Sequence, residues 1–135
     1  MRIQQTPPEA ASFARLRSTV GWTNPNLDIL AQSITATLYW VCAYETGRLI
    51  ATGRVIGDGA MYFYVQDVIV HPDHQGAGLG NTLMEHINGY LTSACRPGAT
   101  VGLFAAKGKE GFYRKYQFVE RCGESLGRGM CRFVV

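Results

Sequence analysis

Between Met61 and Asn81 the chain runs from a block of strand formers through a glycine-rich loop into a helix. Met61–Val70 is dense in aromatic and β-branched residues, His71-Pro72-Asp73-His74 breaks it, and Gln75-Gly76-Ala77-Gly78-Leu79-Gly80-Asn81 follows. Leu79, Leu83, Ile87 and Leu91 then recur at i, i+4, i+8 and i+12, one face of an amphipathic helix. The first backbone N–H groups of a helix have no intrahelical acceptor, and the helix dipole adds partial positive charge there. A strand that delivers a glycine loop to that point builds an anion site, because glycine lets a phosphate come close to the backbone. The alternative is a turn whose glycines serve tight packing only, and the context has to decide.

That context removes two nucleotide folds. A Gly-x-Gly-x-x-Gly dinucleotide fingerprint starting at Gly76 needs glycine where Asn81 stands, and no Asp or Glu lies about 20 residues beyond to hold a ribose. A P-loop fails as well, since no Gly-Lys-Ser/Thr follows.

Upstream, Arg2–Gln5 reads as a short strand, and Pro7-Pro8-Glu9 as a helix entrance, with Phe13, Leu16 and Val20 on one helical face. Leu27, Leu30, Ala31 and Ile34 have the spacing of a second helix. Leu38–Tyr44, Arg48–Ile56 and Met61–Val70 are strand-forming, and the breaks Glu45-Thr46-Gly47 and Asp58-Gly59 predict a three-stranded antiparallel meander. Downstream, Thr100–Ala106 is expected as a short buried strand, Lys109–Tyr116 as a short helix, Phe118-Val119 as resumed extended structure and Met130–Val135 as a last strand.

A length of 135 residues fits one domain over residues 1–135. The hydrophobic share of 47% against 17% charged is a globular balance. Thirteen Lys and Arg against 10 Asp and Glu, scattered along the chain, are too weak a charge for a nucleic-acid module and suit a small anionic ligand better. Ile34–Tyr44 falls short of the roughly 20 apolar residues of a membrane-spanning helix. The first residues show no apolar core of a secretory signal, so the expected compartment is the cytoplasm, with no membrane partner. Cys42, Cys95, Cys122 and Cys131 lack close CxxC spacing and are expected as free thiols. His71 and His74, with Pro72 between them, make a poor metal site, and no metal is expected.

The segment Val68-Ile69-Val70-His71-Pro72-Asp73-His74-Gln75-Gly76-Ala77-Gly78-Leu79-Gly80 resembles the acetyl-CoA signature of the GNAT family of N-acetyltransferases, Gln/Arg-x-x-Gly-x-Gly/Ala, filled by Gln75, Gly78 and Gly80. Gly111-Phe112-Tyr113-Arg114-Lys115-Tyr116-Gln117-Phe118 resembles the family's second signature, Phe-Tyr-x-x-x-Gly-Phe, with Gln117 where glycine is commonest. The resemblance implies a mixed α/β fold: a central, mostly antiparallel twisted sheet of about six to seven strands flanked by about four helices. It implies acetyl-CoA as co-substrate and transfer of its acetyl group to a primary amine, small molecule or protein, by direct attack in a ternary complex. A non-catalytic acyl-CoA binding or sensing module is the alternative.

By the same resemblance, the pyrophosphate sits on the amides of Gly76, Ala77, Gly78, Leu79, Gly80 and Asn81, with Gln75 at the border. The pantetheine arm pairs with Val68, Ile69 and Val70, and the Val68 N–H bonds the thioester carbonyl, where negative charge develops. Tyr113 matches the tyrosine that returns a proton to the departing thiolate; core packing is its alternative. The glutamate base of several relatives corresponds to Tyr64. Asp67, the one carboxylate on its strand, is the candidate base through water or, equally, a structural partner of an arginine or a backbone group. It lies off the Tyr64 face unless a bulge turns it. Read from the residues themselves, Trp22, Tyr39, Trp40 and Tyr64 are candidate acceptor-pocket aromatics, with core packing as the commoner alternative, and the apolar Met130–Val135 could pair across a homodimer.

Overall fold

The computed structural model describes all 135 residues, in two compact units, Met1–Phe104 and Ala105–Val135. The first unit carries β1 (Arg2–Gln4), α1 (Ala10–Thr19), α2 (Leu27–Thr35), β2 (Tyr39–Glu45), β3 (Arg48–Gly57), β4 (Tyr62–Val70), a single 3-10 turn (Pro72–His74), α3 (Leu79–Ala94) and β5 (Thr100–Gly102). The second carries α4 (Glu110–Arg114).

Local chemistry explains the element ends. Asn26 caps α2, its side-chain oxygen accepting from the Ile29 N–H at 3.0 Å. Thr46 and Gly47 both take positive φ, +48° and +77°, the pair that a tight turn between twisted strands requires. Asp58 Oδ1 accepts from the N–H groups of Ala60, Met61 and Tyr62 at 2.8, 2.9 and 3.0 Å, which closes the β3–β4 turn.

The sheet has the order β1-β2-β3-β4-β5, antiparallel except for the parallel β4–β5 pair. One face packs on α1 and α2: Phe13, Leu16, Leu30 and Ile34 meet Trp40, Cys42, Leu49 and Ile69. Alternation along β2 puts Val41 on the opposite face, where α3 lies with Leu83, Met84 and Ile87 buried. Gly53 makes that approach possible, because a Cβ there would stand 2.8 Å from Ile87 Cδ1.

Two expectations change. Five strands form rather than six or seven: Phe118-Val119 and Met130–Val135 are not strands, and Val119, Met130, Phe133 and Val134 are 86–93% exposed. A strand needs both a ladder partner and a face to bury, and the intervening Gly123, Gly127 and Gly129 with Glu120, Arg121, Glu124 and Arg128 disfavour either. β5 is shorter than expected and only half-buried, because it lies at the edge of the sheet, and Phe104 just beyond it is exposed.

Candidate functional site

β4 pairs with β5 only over Tyr62–Tyr64, against Thr100–Gly102, so from Val65 to Val70 no strand pairs with β4 on that side. An extended ligand arm can add there through main-chain hydrogen bonds. The strand is also bent. Ile69 pairs with Thr52 and Gln66 with Arg54, so Asp67 and Val68 together oppose Gly53, a β-bulge, with Asp67 at φ +52°. The bulge turns Asp67 to the α1 side, where Gln66 Nε2 lies 3.5 Å from its Oδ1.

Beyond β4 the chain reaches the glycine loop. Gln75 Nε2 donates to the Val70 carbonyl at 3.0 Å and ties the loop to the strand end. Gly76 and Gly78 have φ of +87° and +83°, and a Cβ at either would meet nothing within 4 Å. Gly78 is the N-cap of α3, which receives no side-chain cap and has no acidic residue in its first turn. The start of α3 therefore has no side-chain cap, carries no acidic residue in its own first turn and is open at its glycines, which fits a phosphate. Val68, Ile69, Val70, Gln75 and the stretch Gly76–Asn81 thus come together as one continuous track.

The aromatic and ionisable candidates divide. Trp40 is buried edge-on against Phe13 at 5.2 Å, in the core cluster on which Trp22 packs, and Tyr39 stacks on Tyr90 of α3 at 4.6 Å. Tyr64 meets Phe104 edge-on at 5.6 Å, and Trp22 lies 5.4 Å from the Arg17 guanidinium. Asp67 is fully enclosed, with Arg17 on Oδ1 and Arg54 on Oδ2, which matches its reading as an arginine partner. The His71 and His74 rings meet edge-on at 5.9 Å, and each has its own polar partners: the His71 ring faces Arg48 and the Asp73 N–H, and His74 lies 3.4 Å from Glu45.

In the second unit Tyr113 is half-buried between Phe112 and Phe118, at ring distances of 5.0 and 6.2 Å, and burial raises its phenol above the usual value near 10. Gln117 takes φ +70° where the signature has glycine. The Phe118 N–H donates to the Tyr113 carbonyl at 3.3 Å and the Gln117 N–H to the Arg114 carbonyl at 3.1 Å. These are the two bonds of a Schellman helix end, and the Tyr113–Phe118 contact is its usual apolar companion. The glycine-type turn therefore survives with glutamine in it.

A family model for the acetyltransferase (GNAT) domain matches residues 35–120. The chain belongs to the GNAT family. A solved Staphylococcus aureus protein of unknown function, described as a probable acetyltransferase, is 27% identical, with a TM-score of 0.87 over 97% of this GNAT chain and 98% of its own. A Brucella melitensis GNAT acetyltransferase solved in complex with acetyl-CoA shares the fold at 21% identity, with a TM-score of 0.64 over 96% and 92% of the two chains. The Arabidopsis thaliana protein GCN5-related N-acetyltransferase 1, chloroplastic, is 34% identical over 87 residues, 63% of this chain and 42% of that one. This GNAT chain spans about half the length of the curated relatives it matches. No helix in it is long and apolar enough to cross a membrane.

The residues that sequence reasoning passed over are Arg17 and Arg54. One signal was present: Arg54 interrupts an apolar run in β3 as Asp67 does in β4, and a charge inside such a run needs an opposite partner.

Proposed function

We propose that residues 1–135 work as one catalytic domain that transfers acetyl from acetyl-CoA to a primary amine by direct attack in a ternary complex. The observation that carries this reading is the track from the unpaired side of β4 into the open, uncapped start of α3. Val68–Val70 offer main-chain groups to the pantetheine arm, the amides of Gly76–Asn81 take the pyrophosphate, and Gln75 borders it. The Val68 N–H faces the thioester oxygen as the amine nitrogen bonds to the carbonyl carbon. The carbon–sulfur bond then breaks, Tyr113 gives its proton to the sulfur, and the proton that the amine nitrogen sheds passes through water and restores the phenol. Its phenol suits that task, because burial keeps it protonated beyond its usual range. The complexed Brucella relative supports the choice of co-substrate.

Small amines and protein amines both belong in the assay. Free cysteines fit a reducing compartment, taken here as the cytoplasm. The exposed Met130–Val135 segment is the proposed homodimer contact, which size-exclusion chromatography of a chain lacking it would test.

Calorimetric titration with CoA should give one site, and Tyr113→Phe should lower kcat at least about tenfold while CoA affinity stays within about threefold. Equal losses in both would remove Tyr113 from the chemical step. With the phenol raised, no loss of kcat from its ionisation is expected between pH 7 and its ordinary value near 10. The second reading, a non-catalytic acyl-CoA binding module, is favoured by Tyr64 standing at the base position and by the enclosure of Asp67. CoA binding without turnover across a broad amine panel would select it.

A further inference from the structure

Asp67 is the centre of a buried polar cluster that the acyl-transfer chemistry does not use. Its side chain is 0% exposed, and its two oxygens go to guanidiniums from different elements. Arg17 of α1 donates from Nη1 to Oδ1; Arg54 of β3 donates from Nε to Oδ2 at 2.9 Å, with Nη2 also at 2.9 Å. Each arginine holds a second piece of structure. Arg17 Nε reaches Asn24 Oδ1 at 2.8 Å and Nη2 the Thr23 carbonyl at 2.9 Å, both in the loop between α1 and α2. Arg54 Nη1 reaches the hydroxyls of Ser33 and Thr37 at 2.9 and 3.0 Å, at the end of α2.

The same residue controls a peptide plane. Thr52 Oγ1, itself buried, donates to the Asp67 carbonyl at 2.9 Å. A trans peptide is planar, so fixing that carbonyl also fixes the Val68 N–H on the opposite edge. Asp67 holds its φ of +52° without being glycine, and the charge-assisted bonds on its carboxylate are directional enough to keep it there.

We propose that Asp67 is a positioning residue: through Arg17 and Arg54 it locks the β4 bulge to the α1–α2 loop, so that the aim of the Val68 N–H and the order of residues 21–26 are coupled. Asp67 takes no proton in the reaction. The catalytic half of this inference rests on the acyl-transfer reading of Val68; the coupling itself does not.

Arg17→Lys tests it with little risk to folding. Lysine keeps a positive charge opposite Asp67, but a single ammonium on a flexible stem does not reproduce the guanidinium fork that also holds Thr23 and Asn24. Hydrogen exchange in this variant should accelerate at least about tenfold in peptides covering both 21–26 and 66–70, with β2 unchanged. With acetyl-CoA and the amine that reacts fastest in the panel, kcat should fall at least about tenfold while the KM for acetyl-CoA stays within about threefold. Asp67→Asn should lower kcat similarly, keep the rising limb of the pH profile, and lose little more when combined with Arg17→Lys. Loss of that limb in Asp67→Asn would make Asp67 a base and overturn the proposal. So would faster exchange confined to the loop, or wild-type kcat in Arg17→Lys, whose result stands even if Asp67→Asn does not fold. Uncoupled exchange with normal wild-type turnover defeats this inference alone, whereas a wild type without turnover defeats the acyl-transfer reading and with it the Val68 half.

Discussion

Replacing Gly78 with alanine separates the conformational duty of the loop from its binding duty. Gly78 has φ +83° and an added Cβ meets no atom within 4 Å, so the folded-state cost is conformational alone. A non-glycine residue in the left-handed region costs about 1–2 kcal/mol, and the smaller freedom of alanine in the unfolded chain returns about 0.4–1 kcal/mol. A net loss of about 1 kcal/mol should lower the melting temperature by about 3–5 °C for a chain of this size. The methyl group would also stand where phosphate oxygens must approach the first amides of α3. Losing one charge-assisted hydrogen bond there costs about 1.5–3 kcal/mol, which weakens the CoA dissociation constant roughly 10- to 150-fold. Gly47→Ala is the matched control: φ is +77°, nothing lies within 4 Å, and the residue sits in a hairpin. Thermal unfolding and calorimetric titration with CoA should show similar destabilisation in both variants and weakened binding in Gly78→Ala alone. Unchanged CoA affinity in Gly78→Ala would refute the placement of the pyrophosphate.

Three further outcomes are expected. Gly53→Ala puts a methyl group 2.8 Å from Ile87 Cδ1 in a packed core, and overpacking of this kind should cost about 1–3 kcal/mol in chemical denaturation while CoA affinity is kept. Gln117→Gly relieves a left-handed glutamine at the end of α4, and local hydrogen exchange should slow by a factor corresponding to about 1 kcal/mol or less. Burial pushes the Cys42 thiol up to about 12, so alkylation near pH 8 should label the exposed Cys122 and Cys131 quickly and Cys42 only after unfolding.

The parts of the fold legible in the sequence were those set by local periodicity and turn chemistry. The helix faces through Phe13 and Leu16 and through Leu83 and Ile87, the meander, and the glycine loop all follow from spacing within a few residues. The tertiary choices were not legible. Met130–Val135 is as strand-forming in composition as β4, yet whether it pairs depends on a neighbour that local spacing cannot specify. The side-chain partners of Asp67 in the bulge are Arg17, fifty positions away, and Arg54. Without those partners the alternation of β4 places Asp67 on the wrong face. Gln117 departs from the signature and still adopts its turn, because backbone hydrogen bonds and the Tyr113–Phe118 contact outweigh the lost glycine.

Acetyl transfer is tested most directly by thiol release from acetyl-CoA, measured with and without a panel of amines that includes amino acids, polyamines, aminoglycosides, arylalkylamines and peptide N-termini. Release that depends on at least one amine, in step with formation of the acetylated amine, is the predicted result. CoA bound at one site with no amine-dependent release from any member of the panel would contradict it.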